Sequence, residues 1–392
     1  GVEKSHEEEL RGTFGRTTLE VTASGRAKQV LTKEDPIAGK DLILSIDAGL
    51  QTKVEEVLEA RMEGTPATKA SVVVMNPTNG EILSLVSWPA YDANLFPEGD
   101  GTAYAALLED ERHPLFPRAT AGEAPSGSTI KTMFAAAGLE EGIITPTTTI
   151  QSSGGIQVGP WFFPDWRGGG HGTTDVYHAI ADSVNTFFYY IGAGYQEFEG
   201  LGIYRLMEYA EKFGFGQTTG IDLPGEADGF LPTPEWKEQT KGERWYIGDT
   251  YNTSIGQGDV LVTPLQMARA TAVFANEGYL VTPRLTVVEE DEEIELTEVI
   301  PADTVDVIAR AMRQTITAGS ASSLQAVPVP VAGKTGTAQW SSTKPNHSWF
   351  TGFAPYENPE LVITVLVEEG GDTGLAIPVT REILTFWFAN SQ

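Results

Sequence analysis

The sequence predicts an α+β protein, in which one antiparallel sheet is flanked by helices and an all-helical lobe is inserted within it. Two observations support this class. Runs rich in β-branched residues occur at 71–86 and again at 331–367, whereas the residues between them are mostly apolar at helical spacing. A chain of 392 residues is also long enough to bury a large core. We therefore expect strands from both ends of the chain to meet in one sheet.

Residues 1–40 are polar and too few to bury a core of their own. Their pattern predicts a short acidic helix around 7–10 and a strand over 17–21. We expect a domain boundary near residue 40. Residues 1–40 would be the remnant of a larger N-terminal domain, and residues 41–392 would form the main domain.

The main domain begins with a predicted strand over 41–46, after which Asp47 is a suitable N-cap for a helix. The apolar residues of that helix share one face, which predicts that this face is buried. They are Leu50, Val54, Val57, Leu58 and Met62. A hairpin follows, with strands over 71–75 and 81–86 around an Asn-Gly pair that favours a tight turn.

Apolar residues at helical spacing predict the helices of the inserted lobe. We expect them over 129–139, 175–190, 201–213 and 264–275. The last third of the chain returns to short β-rich runs and ends on a helical pattern. We predict strands over 331–337, 348–353 and 361–367 and a closing helix over 379–388.

The composition excludes several classes of function. The formal charge is −28, from 26 Lys and Arg against 54 Asp and Glu, so the surface would repel the phosphates of a nucleic acid. There is no Cys, which excludes thiol nucleophiles and thiolate metal sites. The longest apolar run, near 361–367, is far shorter than the ~20 residues of a membrane helix. Because Gly1 is not followed by a charged and then apolar leader, we expect any membrane anchor to be absent from this chain.

The first candidate chemistry lies at 125–131, in the run Pro-Ser-Gly-Ser-Thr-Ile-Lys. Residues three apart on a helix share a face, so Lys131 can reach the hydroxyl of Ser128. Serine becomes a nucleophile when a base takes its proton, and an amine is a base only when it is neutral. The pKa of a free lysine is near 10.4, so burial or a second cation would have to lower it to roughly 7. The alternative role for Ser128 is a helix cap.

Two further motifs contain polar residues that the local structure does not require. A Ser-Val-Asn triplet at 183–185 lies in a predicted helix, and a Lys-Thr-Gly-Thr run at 334–337 ends a predicted strand. Taken singly, the first is expected on a solvated helix face and the second in an ordinary turn. Together with Ser-x-x-Lys at 128–131, and in this order, they are the motif set of penicillin-binding proteins and class A β-lactamases.

With these motifs the sequence resembles the transpeptidase domain of class B penicillin-binding proteins, of the elongation-specific penicillin-binding protein 2 type. Other segments extend the resemblance through nearly the whole chain. They include Asn-Pro-Thr-Asn-Gly-Glu-Ile-Leu at 76–83, Gly-His-Gly-Thr at 170–173, Gly-Gln-Gly at 256–258, Thr-Pro-Leu-Gln-Met at 263–267 and Trp-Phe-Thr-Gly-Phe-Ala-Pro at 349–355. The resemblance implies that residues 1–40 are the end of a pedestal domain and that residues 41–392 are a transpeptidase domain.

The resemblance also implies an activity, that of a peptidoglycan D,D-transpeptidase working through a serine acyl-enzyme. Ser128 would attack the D-Ala-D-Ala bond of a stem peptide, and Lys131 would take its proton. Ser183 and Asn185 would relay a proton to the leaving amine and hold the substrate amide. β-Lactams, which resemble D-Ala-D-Ala, would acylate the same serine.

The third motif would bind the terminal carboxylate of the substrate. Its substrate-binding residues would be Thr335, Gly336 and Thr337, and Lys334 would be the second cation that keeps Lys131 neutral. The backbone N–H groups of Ser128 and Thr337 would form the oxyanion hole. By resemblance, the partners would be a rod-complex glycan polymerase and scaffold proteins at the extracytoplasmic face of the bacterial inner membrane. No cofactor is implied.

The sequence departs from the family pattern at the entrance to the site and at a metal site. Pro117-Arg118-Ala119 replaces the usual Asn-Arg-Ala, so the entrance is expected to differ. Some relatives carry zinc between the first two motifs, and Asp165 and His171 match part of that ligand set. Because the chain has no Cys, the set is incomplete. We therefore predict no metal and expect His171 to be a structural hydrogen-bonding residue.

Two other functions stay open. A β-lactamase or a D,D-carboxypeptidase shares the acylation chemistry but gives the acyl group to water. A non-catalytic module that senses β-lactams or acts as a scaffold would keep the fold without turnover. The length of the chain favours the transpeptidase over the hydrolases, and the presence of every polar residue type of the three motifs argues against a non-catalytic module.

Overall fold

The fold alternates helices and strands, with the longest strands near the two ends of the chain. A computed structural model describes residues 1–288, 292–371 and 374–390. Its α-helices are α1 (Val2–Ser5), α2 (Glu7–Arg11), α3 (Ala48–Met62), α4 (Leu95–Glu98), α5 (Gly101–Glu109), α6 (Arg118–Ala121), α7 (Lys131–Glu140), α8 (Val176–Ala181), α9 (Asn185–Ala193), α10 (Gly202–Lys212), α11 (Pro234–Lys241), α12 (Ile247–Ser254), α13 (Pro264–Ala272), α14 (Ala302–Thr317) and α15 (Ala376–Asn390). Its strands are β1 (Arg16–Val21), β2 (Ala27–Glu34), β3 (Lys69–Met75), β4 (Ile82–Trp88), β5 (Ala124–Pro125), β6 (Ile150–Ser152), β7 (Gly155–Val158), β8 (Trp161–Pro164), β9 (Gly172–Thr174), β10 (Leu261–Val262), β11 (Tyr279–Val281), β12 (Leu296–Glu298), β13 (Ala332–Ala338), β14 (His347–Ala354) and β15 (Leu361–Glu368).

The central sheet joins the two ends of the chain. Its five strands are antiparallel and lie in the order β13-β14-β15-β3-β4. β3 and β15 are neighbours in this sheet although most of the chain separates them, and Val74 pairs with Ile363. The predicted α+β class and the predicted meeting of N- and C-terminal strands are therefore confirmed.

Both faces of the sheet are covered, which explains why its strands are almost continuously apolar. Along β3, Val72 and Val74 belong to one core cluster, whereas Val73 and Met75 belong to another on the opposite face. α3 and α15 pack together with the first cluster. α3 buries the apolar face that the sequence predicts and begins as predicted, with the Asp47 carboxylate accepting from Leu50 N at 2.7 Å.

The second face of the sheet carries the inserted lobe. α7 lies at its centre and contacts α9, α10 and α14. Every residue of α7 from Lys131 to Gly138 is buried, so this helix is enclosed rather than amphipathic. The lobe also contains two-stranded ribbons, β6 with β9 and β7 with β8, and so is less purely helical than predicted.

Three local predictions were wrong or incomplete. The strand over 41–46 does not form as predicted. Leu44 makes an isolated bridge to Thr286, and the hydrogen bonds beside it, from Ser45 N to Leu285 O and from Val287 N to Ile43 O, do not extend into a ladder. The helix over 175–190 is divided into α8 and α9. α14 was not predicted, although its buried residues, such as Ile308 and Met312, recur at helical spacing.

The first 44 residues lie mostly on the surface. β1 and β2 form a separate antiparallel ribbon, and every residue of β2 is exposed. Thr13 and Ile37 make a further bridge at its base. Within the part of the chain that the structure describes, no helix has the length and apolar character needed to span a membrane.

Candidate active site

Ser128 lies in a tight 3-10 turn, Gly127–Ile130, directly before α7. This turn is held against a neighbouring loop, because the Gly127 N–H donates a hydrogen bond of 2.9 Å to the carbonyl of Gly256. Both glycines have positive φ, and a Cβ added to Gly256 would clash with the Gly127 oxygen. The two backbones can therefore meet beside Ser128 only because Gly256 has no side chain, whereas a Cβ on Gly127 would clash with the Thr337 oxygen on β13.

Lys131 is the first residue of α7 and is fully buried. Within the described residues its Nζ donates to Asn185 Oδ1 at 2.6 Å, to Ser183 O at 3.0 Å and to Ser183 Oγ at 3.4 Å, rather than to Ser128. Burial lowers the pKa of Lys131 to about 7, and the negative charge of Asp165 opposes this change. A substantial fraction of the amine is therefore neutral near pH 7.

The Ser-x-Asn motif lies at a break between two helices, not inside one helix as predicted. Ser183 has a φ of 56°, a left-handed backbone that cannot continue α8. α9 then begins at Asn185, and its free N–H groups are satisfied by a residue distant in sequence. The Asp165 carboxylate accepts from Asn185 N at 2.6 Å and from Thr186 N at 3.2 Å. This break brings the carbonyl of Ser183 and the amide of Asn185 to the Lys131 amine.

Lys334 lies on β13 and is also fully buried. Its Nζ donates to the carbonyl of Thr335 at 2.8 Å. Burial lowers the pKa of Lys334 well below its usual value, repulsion from Lys131 lowers it further, and the charge of Asp182 raises it. Coulomb repulsion acts on both partners, so a proton on either lysine disfavours a proton on the other.

The three motifs border one cavity of about 360 Å³. The predicted residues that line it are Ser128, Ser183, Asn185, Thr335, Gly336 and Thr337. Lys131 and Lys334 are buried and contact residues of this lining. A larger groove of about 880 Å³, lined by Phe274 and Tyr356 among others, contains none of the predicted site residues. Volume alone therefore does not identify the site.

The lining also contains residues that were not predicted as site residues, and four of them are Trp166, Asp182, Gln257 and Ser320. Gln257 connects the loop of Gly256 to β13, because its Nε2 donates to Thr337 O at 3.2 Å. Ser320 Oγ is 2.7 Å from Thr335 Oγ1. The sequence contains a signal for two of these four residues. Gln257 lies in the Gly-Gln-Gly segment, and Asp182 is the acidic residue just before Ser183. Nothing in the sequence pattern distinguishes Ser320.

Asp165 and His171 do not fit a zinc site. A structural zinc ion takes four ligands, whereas no three His, Cys, Asp or Glu side chains of the described residues come together. The oxygens of Asp165 are already used by protein donors, including Ser152 Oγ at 2.7 Å and Thr186 Oγ1 at 2.5 Å. His171 donates its backbone N–H to Ser152 Oγ at 3.1 Å, while its buried ring Nε2 has no hydrogen-bond partner within the described residues. The absence of a metal stays a prediction.

Comparison with known families agrees with this fold and arrangement. Residues 70–385 match the penicillin binding protein transpeptidase domain, and residues 1–44 match the penicillin-binding protein dimerisation domain. The chain belongs to the penicillin-binding protein transpeptidase family. The resemblance to the penicillin-binding protein 2 type is confirmed by the relatives described next.

Among curated relatives, the chain is 36% identical to the peptidoglycan D,D-transpeptidase MrdA of Haemophilus influenzae, over 99% of this chain and 62% of that protein. It is 34% identical to MrdA of Escherichia coli K12, over 98% of this chain and 63% of that protein. The chain thus spans about three fifths of the length of these relatives.

Solved structures of the same type are also similar. Penicillin-binding protein 2 of Helicobacter pylori, in a complex with MreC, gives a TM-score of 0.86 at 31% identity, covering 100% of this chain and 72% of that one. Penicillin-binding protein 2 of Pseudomonas aeruginosa, in a complex with WCK 5153, gives 0.81 at 33% identity, covering 100% and 84%. The predicted fold is confirmed by these similarities.

The contact between the two glycine loops predicts an unequal effect of two neighbouring substitutions. Gly256 and Gly258 both have positive φ, but a Cβ on Gly258 would meet only Asn252, at 3.9 Å. Gly258→Ala should destabilise the protein by about 1–2 kcal/mol, the cost of a left-handed alanine. Gly256→Ala should cost at least about 2 kcal/mol more, because a backbone must also move. Urea unfolding measures both values, and equal losses would contradict the proposed contact.

The lowered pKa of Lys131 predicts how stability depends on pH. Below about pH 7 the amine is protonated in both the folded and the unfolded state. The contribution of Lys131 to the free energy of unfolding is therefore independent of pH in that range. From about pH 7 to the unfolded value near 10.5, only the unfolded state keeps the proton. The free energy of unfolding of the wild type, relative to Lys131→Met, should therefore rise with pH, by up to about 1.4 kcal/mol per pH unit.

The measurement for this prediction is urea unfolding of both proteins between pH 6 and pH 10. Lys33→Met is the matched control, since the side chain of Lys33 is 66% exposed. A flat difference between the wild type and Lys131→Met would mean that the amine stays protonated in the folded protein.

Proposed function

We propose that the chain is a serine-type peptidoglycan D,D-transpeptidase of the cell-elongation type, which cross-links stem peptides through an acyl-enzyme on Ser128. One observation carries the proposal. A fully buried Lys131, with a pKa of about 7, lies at the junction of the three motifs, behind a cavity that Ser128 lines. Serine acylation needs this combination of a hydroxyl and a neutral base.

In the proposed acylation, the neutral Lys131 amine accepts the proton of Ser128 as its oxygen attacks the penultimate D-alanine carbonyl. The oxygen of that carbonyl takes up negative charge and is stabilised by the N–H groups of Ser128 and Thr337. The proton then passes through Ser183, whose Oγ lies 3.4 Å from Lys131 Nζ, to the departing D-alanine amine. Removal of one oxyanion donor typically slows such reactions by about 10²–10³.

The third motif supplies the donor's carboxylate site in this proposal. Thr335 and Thr337 face the cavity with Gly336 between them, and Lys334 lies buried next to Thr335. A substrate carboxylate would stabilise the protonated form of Lys334 and so favour the neutral form of Lys131. Binding of the donor would then itself prepare the base.

The domain division and the setting of the enzyme are part of the proposal. Residues 1–40 would be the end of the pedestal domain, and residues 41–392 the transpeptidase domain. The enzyme would act at the extracytoplasmic face of the inner membrane, beside a glycan polymerase and scaffold proteins. The solved complexes of a relative with MreC and of a peptidoglycan synthase support such partners.

Labelling by a fluorescent penicillin tests the nucleophile. The wild type should gain the mass of one penicillin on the peptide that contains Ser128, and the adduct should persist. Ser128→Ala should give no labelling, while its thermal stability changes little, since a serine at a helix start is worth only about 1 kcal/mol. Persistent labelling of Ser128→Ala would exclude Ser128. An adduct lost within seconds would favour the hydrolase. A wild type that is not labelled would favour the scaffold form of the non-catalytic module.

The pH dependence of acylation tests the base. The second-order rate constant for penicillin should rise with pH and reach half of its plateau near pH 7, because only neutral Lys131 accepts the serine proton. Stopped-flow fluorescence between pH 5 and pH 9 gives this profile. Lys131→Arg, which stays cationic, should lose at least about 10²-fold at every pH. A rate that is independent of pH would contradict the role of Lys131.

A further inference from the structure

Trp166 is an exposed aromatic side chain held in a fixed position at the cavity. It is 64% exposed, yet its Nε1 donates to the carbonyl of Asp182 at 2.9 Å. Its ring also packs edge-on against the buried ring of His171, with 5.2 Å between the ring centroids. An indole that is exposed and held by two contacts is suited to contact a ligand.

Asp182 contributes negative charge to the same cavity. Among the described residues of the lining, it is the one with a charged side chain. No Lys, Arg or His side chain of the described residues lies within 4.0 Å of its carboxylate. Asp182 and Trp166 thus line the same cavity and are joined through the backbone carbonyl of Asp182, and the other polar groups of the lining are neutral.

We propose that Asp182 and Trp166 form a subsite for the cationic amine of the acyl acceptor. A carboxylate beside an aromatic ring is the combination that proteins use to bind an ammonium group. The proposal rests on the proposed function, since a transpeptidase, unlike a hydrolase, must attract an amine in competition with water. It assigns a role to two residues that the three motifs do not include.

The position of Asp182 in the chain supports this assignment. It directly precedes Ser183, whose Oγ lies 3.4 Å from Lys131 Nζ. In acylation this hydroxyl would face the amine that leaves, and in transfer the attacking amine would approach the same point from the reverse direction. A negative charge one residue away would concentrate ammonium ions where the attack begins.

The protons balance along this path. The bound ammonium first releases one proton to solvent and becomes a neutral amine. The amine nitrogen attacks the acyl carbon, the bond between that carbon and Ser128 Oγ breaks, and an amide forms. The second proton of the nitrogen passes through Ser183 and Lys131 to Ser128 Oγ, which restores the hydroxyl.

A competing role for Asp182 must be separated from this one. Its charge raises the pKa of Lys334, so its removal could weaken binding of the donor carboxylate. That effect would change how fast the acyl-enzyme forms. It would not change how a formed acyl-enzyme divides between water and an amine, so the partition ratio is the decisive measurement.

The experiment uses the full chain and a D-alanyl thioester donor at pH 7.5. The acyl-enzyme is offered Nα-acetyl-lysine amide, whose amine is cationic, or hydroxylamine, which is neutral, and the ratio of transfer to hydrolysis is measured. Asp182→Asn and Trp166→Leu should each lower this ratio by about fivefold to tenfold for the cationic acceptor and leave it unchanged for hydroxylamine. Asp182→Glu should restore most of the preference.

Two matched controls accompany these variants. Asp228→Asn changes an exposed acidic residue, and Trp161→Leu changes a tryptophan that is 71% exposed. Neither residue lines the cavity. Both should keep the wild-type ratio. The subsite would be overturned if Asp182→Asn lowered the ratio of transfer to hydrolysis equally for both acceptors. It would also be overturned if the wild type were acylated but preferred neither acceptor over water. A wild type that is not acylated would instead contradict the proposed function itself.

Discussion

The burial of the Lys131 amine is the constraint on which the rest of this site depends. An ammonium group with no access to water is unstable unless its charge is balanced or lost. The protein surrounds this amine with the carbonyl of Ser183 and the amide oxygen of Asn185, both at hydrogen-bonding distance. These acceptors can bind a neutral amine as well as a charged one, so the surroundings permit the loss of the proton.

Two carboxylates set the electrostatic balance around the buried lysines. Asp165 raises the pKa of Lys131, and Asp182 raises that of Lys334, yet within the described residues neither carboxylate forms an ion pair with its lysine. The two carboxylates are thus near enough to limit the lowering of the lysine pKa values by burial, but not to cancel it. This balance explains why the pKa of Lys131 falls to about 7 rather than remaining near 10.5. Asp165 also accepts from the Asn185 N–H at the start of α9, so one side chain both raises the pKa of Lys131 and positions Asn185.

The sequence was most informative where a structure depends on neighbouring residues. The buried face of α3, the hairpin of β3 and β4, and the placement of Ser128 and Lys131 at one helix start all follow from local spacing. The break at Ser183 does not follow from local spacing. It depends on a left-handed backbone and on the Asp165 carboxylate, which accepts from the N–H of Asn185, 20 residues further along the chain. The wrong prediction of a strand over 41–46 has a similar origin, since a strand depends on a ladder to a distant segment, and here the pairing with Thr286 stops at a single bridge.

The cavity residues that were not predicted from the sequence lie outside the three motifs. Trp166, Gln257 and Ser320 belong to segments without a recognisable reactive group, and each reaches the cavity through tertiary contacts. Gln257 holds the end of β13 through the carbonyl of Thr337, and Trp166 is held by the carbonyl of Asp182. Gln257 and Trp166 thus bond to backbone carbonyls, whose position does not depend on the identity of the residue that carries them. The reactive residues of a site can therefore be predicted from motifs, whereas the residues that position a substrate around them become visible only when the backbone that they contact has been placed.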